Sequence, residues 1–308
     1  MNAVLRKISK VDRSSWNKLD IPKLPKWFRQ LLLQAYGSSI TDKIEKQHLE
    51  RPPVDITIKT PELIDRFSIE LKGKQIIKHS LRLENAGQIS ELPGFKEGEW
   101  WVQDISASIP VHLFNDVKGK SALDLCAAPG GKTMQLSAAG ANVTAVDMSK
   151  VRAAKLKENL ARTSLNANIV ISDLFKIKGF FDIIILDAPC SATGTVRRHP
   201  DLPYVKSQAD LKKLFCLQYS MLEHAVSLMK PTTQLVYCTC SLFPQEGEYQ
   251  VRKLLNEKHE IRVDKYLPKE LDFLEKYRTE EGGLRLLPIH LAETGGIDGF
   301  YIVKLVKV

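Results

Sequence analysis

The chain has 308 residues, 44% of them hydrophobic, enough for one large core or for two domains. Its strongest apolar runs, such as FFDIIIL at 180–186, are strand-sized, and MNAVLRKISKVDR scatters charge where a secretory signal would be apolar, so a cytoplasmic monomer with no membrane span is expected. Five cysteines without dense spacing exclude a disulfide scaffold, and a net charge of +9 suits a polyanionic partner without identifying one.

Residues 1–48 read as a basic helical segment. Positions 1–34 carry eight Lys or Arg against two Asp, a balance of +6, interleaved with Trp16, Trp27 and Phe28, which is a pattern suited to RNA phosphates. NAVLRKI predicts a helix, Pro22 and Pro25 a linker, and PKWFRQLLLQAYG a second helix that opens on proline and stops at Gly37. Residues 49–110 read as a small α+β domain: RPPVDITIKT alternates as a strand, PELIDRFSIEL is helical, and QIIKHSLRLE predicts one further strand. No repeat or low-complexity tract interrupts the chain.

Across residues 111–308 strands alternate with helices, the pattern of a parallel, doubly wound α/β sheet. Strands are expected at SALDLC, ANVTAVD, NIVIS, FDIIILD and QLVYCTC, with late strands at GLRLLP and GFYIVKLVKV. Helices are expected at TMQLSAAG, SKVRAAKLKENLART, from about Ser207 to Met229, and near 245–258. Sites on such sheets gather at the carboxyl ends of the strands.

DLCAAPGGKT (124–133) is a strand, a small-residue turn and a helix start, which aims backbone amides at a ligand. A P-loop would need glycine where Cys126 stands, and Ala127 to Lys132 does not supply the nicotinamide fingerprint Gly-x-Gly-x-x-Gly. S-adenosylmethionine, whose methionine part needs close backbone approach but no phosphate site, fits better. Cys126, Ala127, Ala128, Pro129, Gly130, Gly131 and Lys132 would then form its loop. Asp147, 23 residues beyond Asp124, would take the ribose hydroxyls, Asp173 would reach the adenine edge, and Asp187 ends the fourth strand. The plain alternative for each aspartate is a cap on the following helix.

LDAPCSATG (186–194) places Cys190 where methyltransferases acting on exocyclic amines carry a stacking aromatic; a thiol cannot stack, but it can attack carbon. DLCAAPGGKT, LDAPCSATGTVRRHPDLPY, YCTCSLFPQEGE and LRLLPIHLAETGGIDGFY together resemble the bacterial 16S rRNA cytosine-5 methyltransferases of the Sun/RsmB (Fmu) family, and RLENAGQISELPGFKEGEWWVQD resembles the region before their catalytic domain. The resemblance implies a Rossmann-like S-adenosylmethionine-dependent methyltransferase domain over 111–308, preceded by an RNA-binding α+β domain and an N-terminal helical remnant. It also implies an RNA substrate, ribosomal RNA before transfer RNA. Longer members carry a helical antitermination-factor-like domain of which this chain keeps only the last helix, so site choice stays open.

The same resemblance implies the chemistry. Cys240, in Thr-Cys-Ser, adds to carbon 6 of a cytosine; Cys190 assists product release; Asp187 holds the base at its ring nitrogen or amine; and Lys132 helps to hold the base and favours the Cys240 thiolate. Cys238, Cys126 and Cys216 read as packing thiols, with Cys126 close enough to line the cofactor pocket. A zinc site from Cys126, Cys190, Cys238 and Cys240 is disfavoured because none forms a Cys-x-x-Cys knuckle, so no metal is expected. Arg197, Arg198 and His199 suit RNA phosphates, or else a solvated loop. A small-molecule or protein methyltransferase would need neither thiol, and a non-catalytic RNA-binding relative would tolerate loss of Cys240.

Overall fold

Apolar runs buried on both faces make the central strands of the main sheet, and a smaller sheet joins two largely buried strands to two partly exposed ones. A computed structural model describes residues 2–84 and 86–308. The helix Asn2–Ile8 buries no side chain. The helical run Lys26–Gln47 breaks at Gly37, whose φ of 73° leaves the helical region, so the expected stop is real but a second helical stretch follows it. Phe28, Leu32 and Ile44 from this run are fully buried against Val196, Leu211, Leu242, Phe243 and Leu287 of the following domain.

The small sheet is antiparallel, order β2-β3-β1-β4, from β1 (Val54–Ile58), β2 (Gly73–Ile77), β3 (Ser80–Leu83) and β4 (Trp100–Val102). The helix Ile64–Glu70 lays Phe67 on its core of Ile56, Ile58, Leu81 and Trp100. QIIKHSLRLE is therefore a hairpin and not one strand: the chain reverses at Lys78-His79, with His79 at φ 63°. No glycine, proline, asparagine or aspartate marks that turn, and the apolar pattern runs through it.

The main sheet runs β7-β6-β5-β8-β9-β12-β10, from β5 (Ser121–Leu125), β6 (Asn142–Asp147), β7 (Asn168–Ile171), β8 (Phe181–Asp187), β9 (Met229–Thr239), β10 (Ile261–Val263) and β12 (Phe300–Lys307), with β11 (Leu284–Leu286) also paired to β12. The five strands β7 to β9 are parallel, as expected; β12 closes antiparallel on β9, and β10 and β11 pair antiparallel with β12. Ile183, Ile185, Val236, Cys238 and Ile302 pack on one face, and Ile184, Leu186, Leu235, Tyr237 and Val303 on the other. The β8–β9 register sets Asp187 beside Cys238 and sends the next residues of both strands into adjoining loops. Among the described residues no helix is long and apolar enough to cross a membrane.

Candidate active site

Strand β5 hands over to the helix Gly131–Ala138 through a turn in which Cys126 (φ 64°) and Gly130 (φ 110°) occupy the left-handed region. At Gly130 a Cβ would also sit 2.4 Å from Leu156 Cδ1. The turn is pinned from β6: the Ala128 N–H donates to Asp147 Oδ2 at 3.1 Å, and the Ser149 N–H to Oδ1 at 2.9 Å. Asp147 is buried beneath the loop, with Arg152 at 3.4 Å. Each of its oxygens accepts one backbone N–H, which holds the turn in shape and leaves acceptor capacity toward a ligand. Asp124 Oδ2 accepts from Thr133 Oγ1 at 2.6 Å, whereas Oδ1 is buried with no partner among the described residues. Burial pushes this carboxyl up to about 7, against the lowering by Thr133 and Lys132. A cationic ligand at the turn would satisfy the orphaned oxygen, so these residues fit a cofactor that carries an ammonium and a ribose. Asp173 is exposed and caps the short helix Leu174–Lys176 through the Phe175 N–H at 3.1 Å, as the capping alternative expects.

Lys132, the second residue of its helix, is buried, and its Nζ donates to Asp187 Oδ2 at 2.7 Å. Burial opposes its charge, but Asp187 overrides that cost and holds its pKa above the ordinary lysine value. The ammonium also lies 5.3 Å from the centre of the Phe300 ring. It is thus fastened to Asp187. Cys238, fully buried, points its Sγ at Asp187 Oδ1 at 3.7 Å, and burial pushes its pKa well above the usual range. That is the packing role expected of it.

The two thiols singled out as chemical converge. Cys190 Sγ, in the loop after β8, and Cys240 Sγ, just past β9, are 3.4 Å apart. Contact with Cys240, then burial, drive the Cys190 pKa well above its ordinary value, which favours its thiol form. Backbone bonds stitch the loops together: Gly194 N–H donates to Cys240 O at 2.9 Å, and Gly299 N–H to Gly194 O at 2.9 Å.

Two expectations fail. Arg197 and Arg198 are not side chains of a solvated loop: both are engaged within the protein, with Arg198 half-buried. Arg197 is buried and donates to Gly295 O at 2.6 Å, while Arg198 pairs with Asp104 at 2.7 Å and Asp298 at 2.8 Å, tying the Cys190 loop to the loop before β12. Only His199 of the three is exposed. Cys216 is exposed and not a packing thiol, because its position on the helix Gln208–Ser227 faces outward. Sequence reasoning also missed Glu246, fully buried between the two cysteine loops, and the buried Arg285–Glu248 pair behind it, whose Arg285 Nη1 bonds Ser241 O. A carboxylate among apolar and turn residues in SLFPQEG was the available signal.

A model of the family described as 16S rRNA methyltransferase RsmB/F matches residues 111–306. A protein named Ribosomal RNA small subunit methyltransferase B from Erwinia tasmaniensis is 34% identical over 298 residues, which cover 92% of this chain and 66% of that one. One of the same name from Pasteurella multocida is 33% identical over 337 residues, covering 100% of this chain and 71% of its own. The chain spans about two thirds of the length of these relatives. A solved structure described as a methyltransferase homolog protein from Pyrococcus horikoshii superposes with a TM-score of 0.77 at 25% identity, covering 97% of this chain and 100% of that one. A family match across most of the main sheet, and relatives at a third identity that run through the N-terminal units as well, make this chain a member of the RsmB/F family of S-adenosylmethionine-dependent 16S rRNA methyltransferases.

Proposed function

We propose that the protein methylates carbon 5 of a cytosine in small-subunit ribosomal RNA, with Cys240 as nucleophile and Cys190 as the thiol that assists release. The observation that carries this reading is the 3.4 Å approach of the two thiols at neighbouring strand ends, beside the Lys132–Asp187 pair. S-adenosylmethionine, when held by the 126–131 turn with Asp147 at its ribose and Asp173 toward its adenine, supplies an electrophilic methyl group.

Carbon 5 of cytosine is a weak nucleophile. Addition of the Cys240 thiolate to carbon 6 forms an S–C bond and moves the 5,6 electron pair into the ring, which makes carbon 5 enamine-like. The Lys132 ammonium offsets the charge that develops on the ring, while Asp187, already accepting from Lys132, has lone pairs left for the exocyclic amine. Once carbon 5 is methylated a base, for which solvent water suffices, takes its proton, the double bond re-forms, and the sulfur of Cys240 is expelled. Cys190, held as a thiol in contact with that sulfur, returns a proton to it. The base has to be unpaired or flipped out, since carbon 6 is covered inside a helix. Transfer RNA is the second candidate; the names of the relatives favour the small subunit.

The test is methyl incorporation from labelled S-adenosylmethionine into deproteinised ribosomal RNA, small subunits and transfer RNA. Cys240→Ala should abolish incorporation and leave no covalent adduct, whereas Cys190→Ala should accumulate a protein–RNA adduct that survives denaturing electrophoresis. Adduct trapped by Cys240→Ala and not by Cys190→Ala would reverse the assignment. Incorporation into none of the three RNAs would overturn the substrate class.

A further inference from the structure

Each of the two converging cysteines is followed by a serine: Cys190-Ser191 and Cys240-Ser241. Both hydroxyls go to one carboxyl group. Glu246 Oε2 accepts from Ser191 Oγ at 2.5 Å and from Ser241 Oγ at 2.5 Å. Oε1 accepts from the Ser191 backbone N–H at 2.8 Å and from Gln218 Nε2 at 2.9 Å, and the same Gln218 nitrogen donates to Pro189 O at 2.9 Å, just ahead of Cys190. Four donors therefore converge on a side chain with no exposed surface. Its own position is fixed from β9, where Tyr237 Oη donates to Glu246 O at 2.8 Å and Thr239 Oγ1 to the same oxygen at 3.2 Å.

We propose that Glu246 is a positioning residue that sets the spacing of the Cys190 and Cys240 thiols by clamping the residue after each. It touches neither sulfur and lies out of reach of any substrate. The loops it joins are 50 residues apart in sequence and belong to different strands, so without Glu246 they would be held in register by the Ala188–Cys238 and Gly194–Cys240 backbone bonds, the Leu242 N–H to Thr193 Oγ1, and the contacts of the Ser191 and Thr193 hydroxyls with that of Ser241. Burial of a carboxyl group is costly unless its acceptors are filled. Here both oxygens are filled, and all four bonds bear on the cysteine loops or on Gln218, which holds one of them. The negative charge of Glu246 also helps to keep Cys190 protonated, after the contact with Cys240 and burial.

The inference rests on the proposed roles of the two thiols only for its meaning, because the spacing can be read without RNA. Equilibration with the glutathione couple converts the two thiols to a disulfide while one oxidised glutathione becomes two reduced ones, and the equilibrium constant is the effective concentration of one thiol at the other. Peptide mapping of the linkage between Cys190 and Cys240 separates it from the exposed Cys216. Glu246→Gln keeps a carbonyl for Ser191 N–H and Gln218 and turns an amide toward the two rotatable hydroxyls, so its effective concentration should stay within about threefold of wild type. Glu246→Ala removes the clamp and should lower it at least tenfold while circular dichroism and cooperative melting stay native-like. If Glu246→Ala does not melt cooperatively, Ser241→Ala, which removes one of the four bonds, decides: a fall of threefold or more supports the clamp. An unchanged effective concentration in a folded Glu246→Ala, or in Ser241→Ala, would overturn it. Failure of RNA methylation with a normal thiol equilibrium would instead count against the proposed function and leave the clamp standing.

Discussion

The two ends of the site are built on different principles. At the cofactor end the bonds are local: Thr133 to Asp124 spans nine residues, Ala128 to Asp147 spans 19, and Ser149 to Asp147 spans two. At the substrate end they are distant: Ser191 to Glu246 spans 55 residues, Lys132 to Asp187 spans 55, and Arg198 to Asp298 spans 100. A strand, a tight turn and a helix start shape the first end almost by themselves. The second exists only when three loops are packed together, so perturbations there should propagate from one loop to the next.

The largest expected effect tests that contrast with one added methyl group. At Gly194 a Cβ would lie 1.9 Å from Gly299 O, a backbone atom of the stitching between loops. At Gly130 the obstacle is the Leu156 side chain, which can rotate, although φ 110° adds strain. Gly194→Ala should therefore cost about 3 kcal/mol or more and disrupt the thiol pair, against about 1 to 2 kcal/mol for Gly130→Ala. Chemical denaturation of both variants measures this. Equal losses would mean that the substrate end is no less forgiving than the cofactor end.

This division also explains what the sequence made legible. The parallel strands, Asp147 at the end of β6, and a small-residue turn after β5 follow from apolar periodicity and small residues within a few positions, although the left-handed conformation of Cys126 in that turn does not. The antiparallel β12 is visible in the sequence as a strand, but its place in the order is not; β10, three residues long and ending a charged stretch, is not visible at all. Arg197 and Arg198 read as surface cations because their partners, Gly295, Asp298 and Asp104, lie about 100 residues away. Glu246 is marked in the sequence only by a carboxylate among apolar and turn residues, because Ser191 and Gln218, two of its partners, lie 55 and 28 residues away. The cysteine roles come from family resemblance, and no local pattern around Cys190 predicts its approach to Cys240.

A second effect, smaller than that at Gly194, should stay at the cofactor end. Asp147→Ala removes the carboxylate that accepts from Ala128 and Ser149 and the proposed ribose bond, so S-adenosylmethionine binding should weaken by about 1.5 to 3 kcal/mol, roughly 10- to 150-fold in Kd. Calorimetry measures that, and the glutathione equilibrium of Cys190 and Cys240 should not move. A shift in both would join the two ends into one unit.

Asp124 offers a pH test of the same end. Its folded carboxyl titrates near 7 because of burial, whereas an unfolded aspartate titrates near 4. The native state therefore holds the proton more tightly, and this contribution to stability is full below about pH 4 and is lost as pH rises through about 7. Asp124→Asn cannot lose it and can still accept from Thr133. Relative to wild type, its unfolding free energy should rise between pH 4 and pH 8 and then level off. A difference that does not vary with pH would mean that Asp124 stays ionised in the fold.

The smallest effect lies outside both ends, in the basic N-terminal segment, only part of which is free to meet RNA. Lys23 and Arg29 are engaged by Asp42 and Glu45, and the run from Lys26 packs Phe28 and Leu32 into the catalytic domain, so that part is a brace and its removal would damage the fold. Arg6, Lys7, Lys10 and Lys18 are exposed, on or near a helix that buries nothing, and can reach phosphates. Deleting residues 1–20 should leave melting nearly unchanged and make the log–log salt dependence of RNA binding shallower by roughly 0.7 to 0.9 for each phosphate that these cations neutralise. Engagement of all four would change the slope by about 3, and engagement of one alone by less than about 1. Parallel salt plots for the full and shortened chains would place the RNA-binding charge elsewhere, and the exposed Lys72, Lys74 and Lys78 of the small domain would then be the next side chains to neutralise.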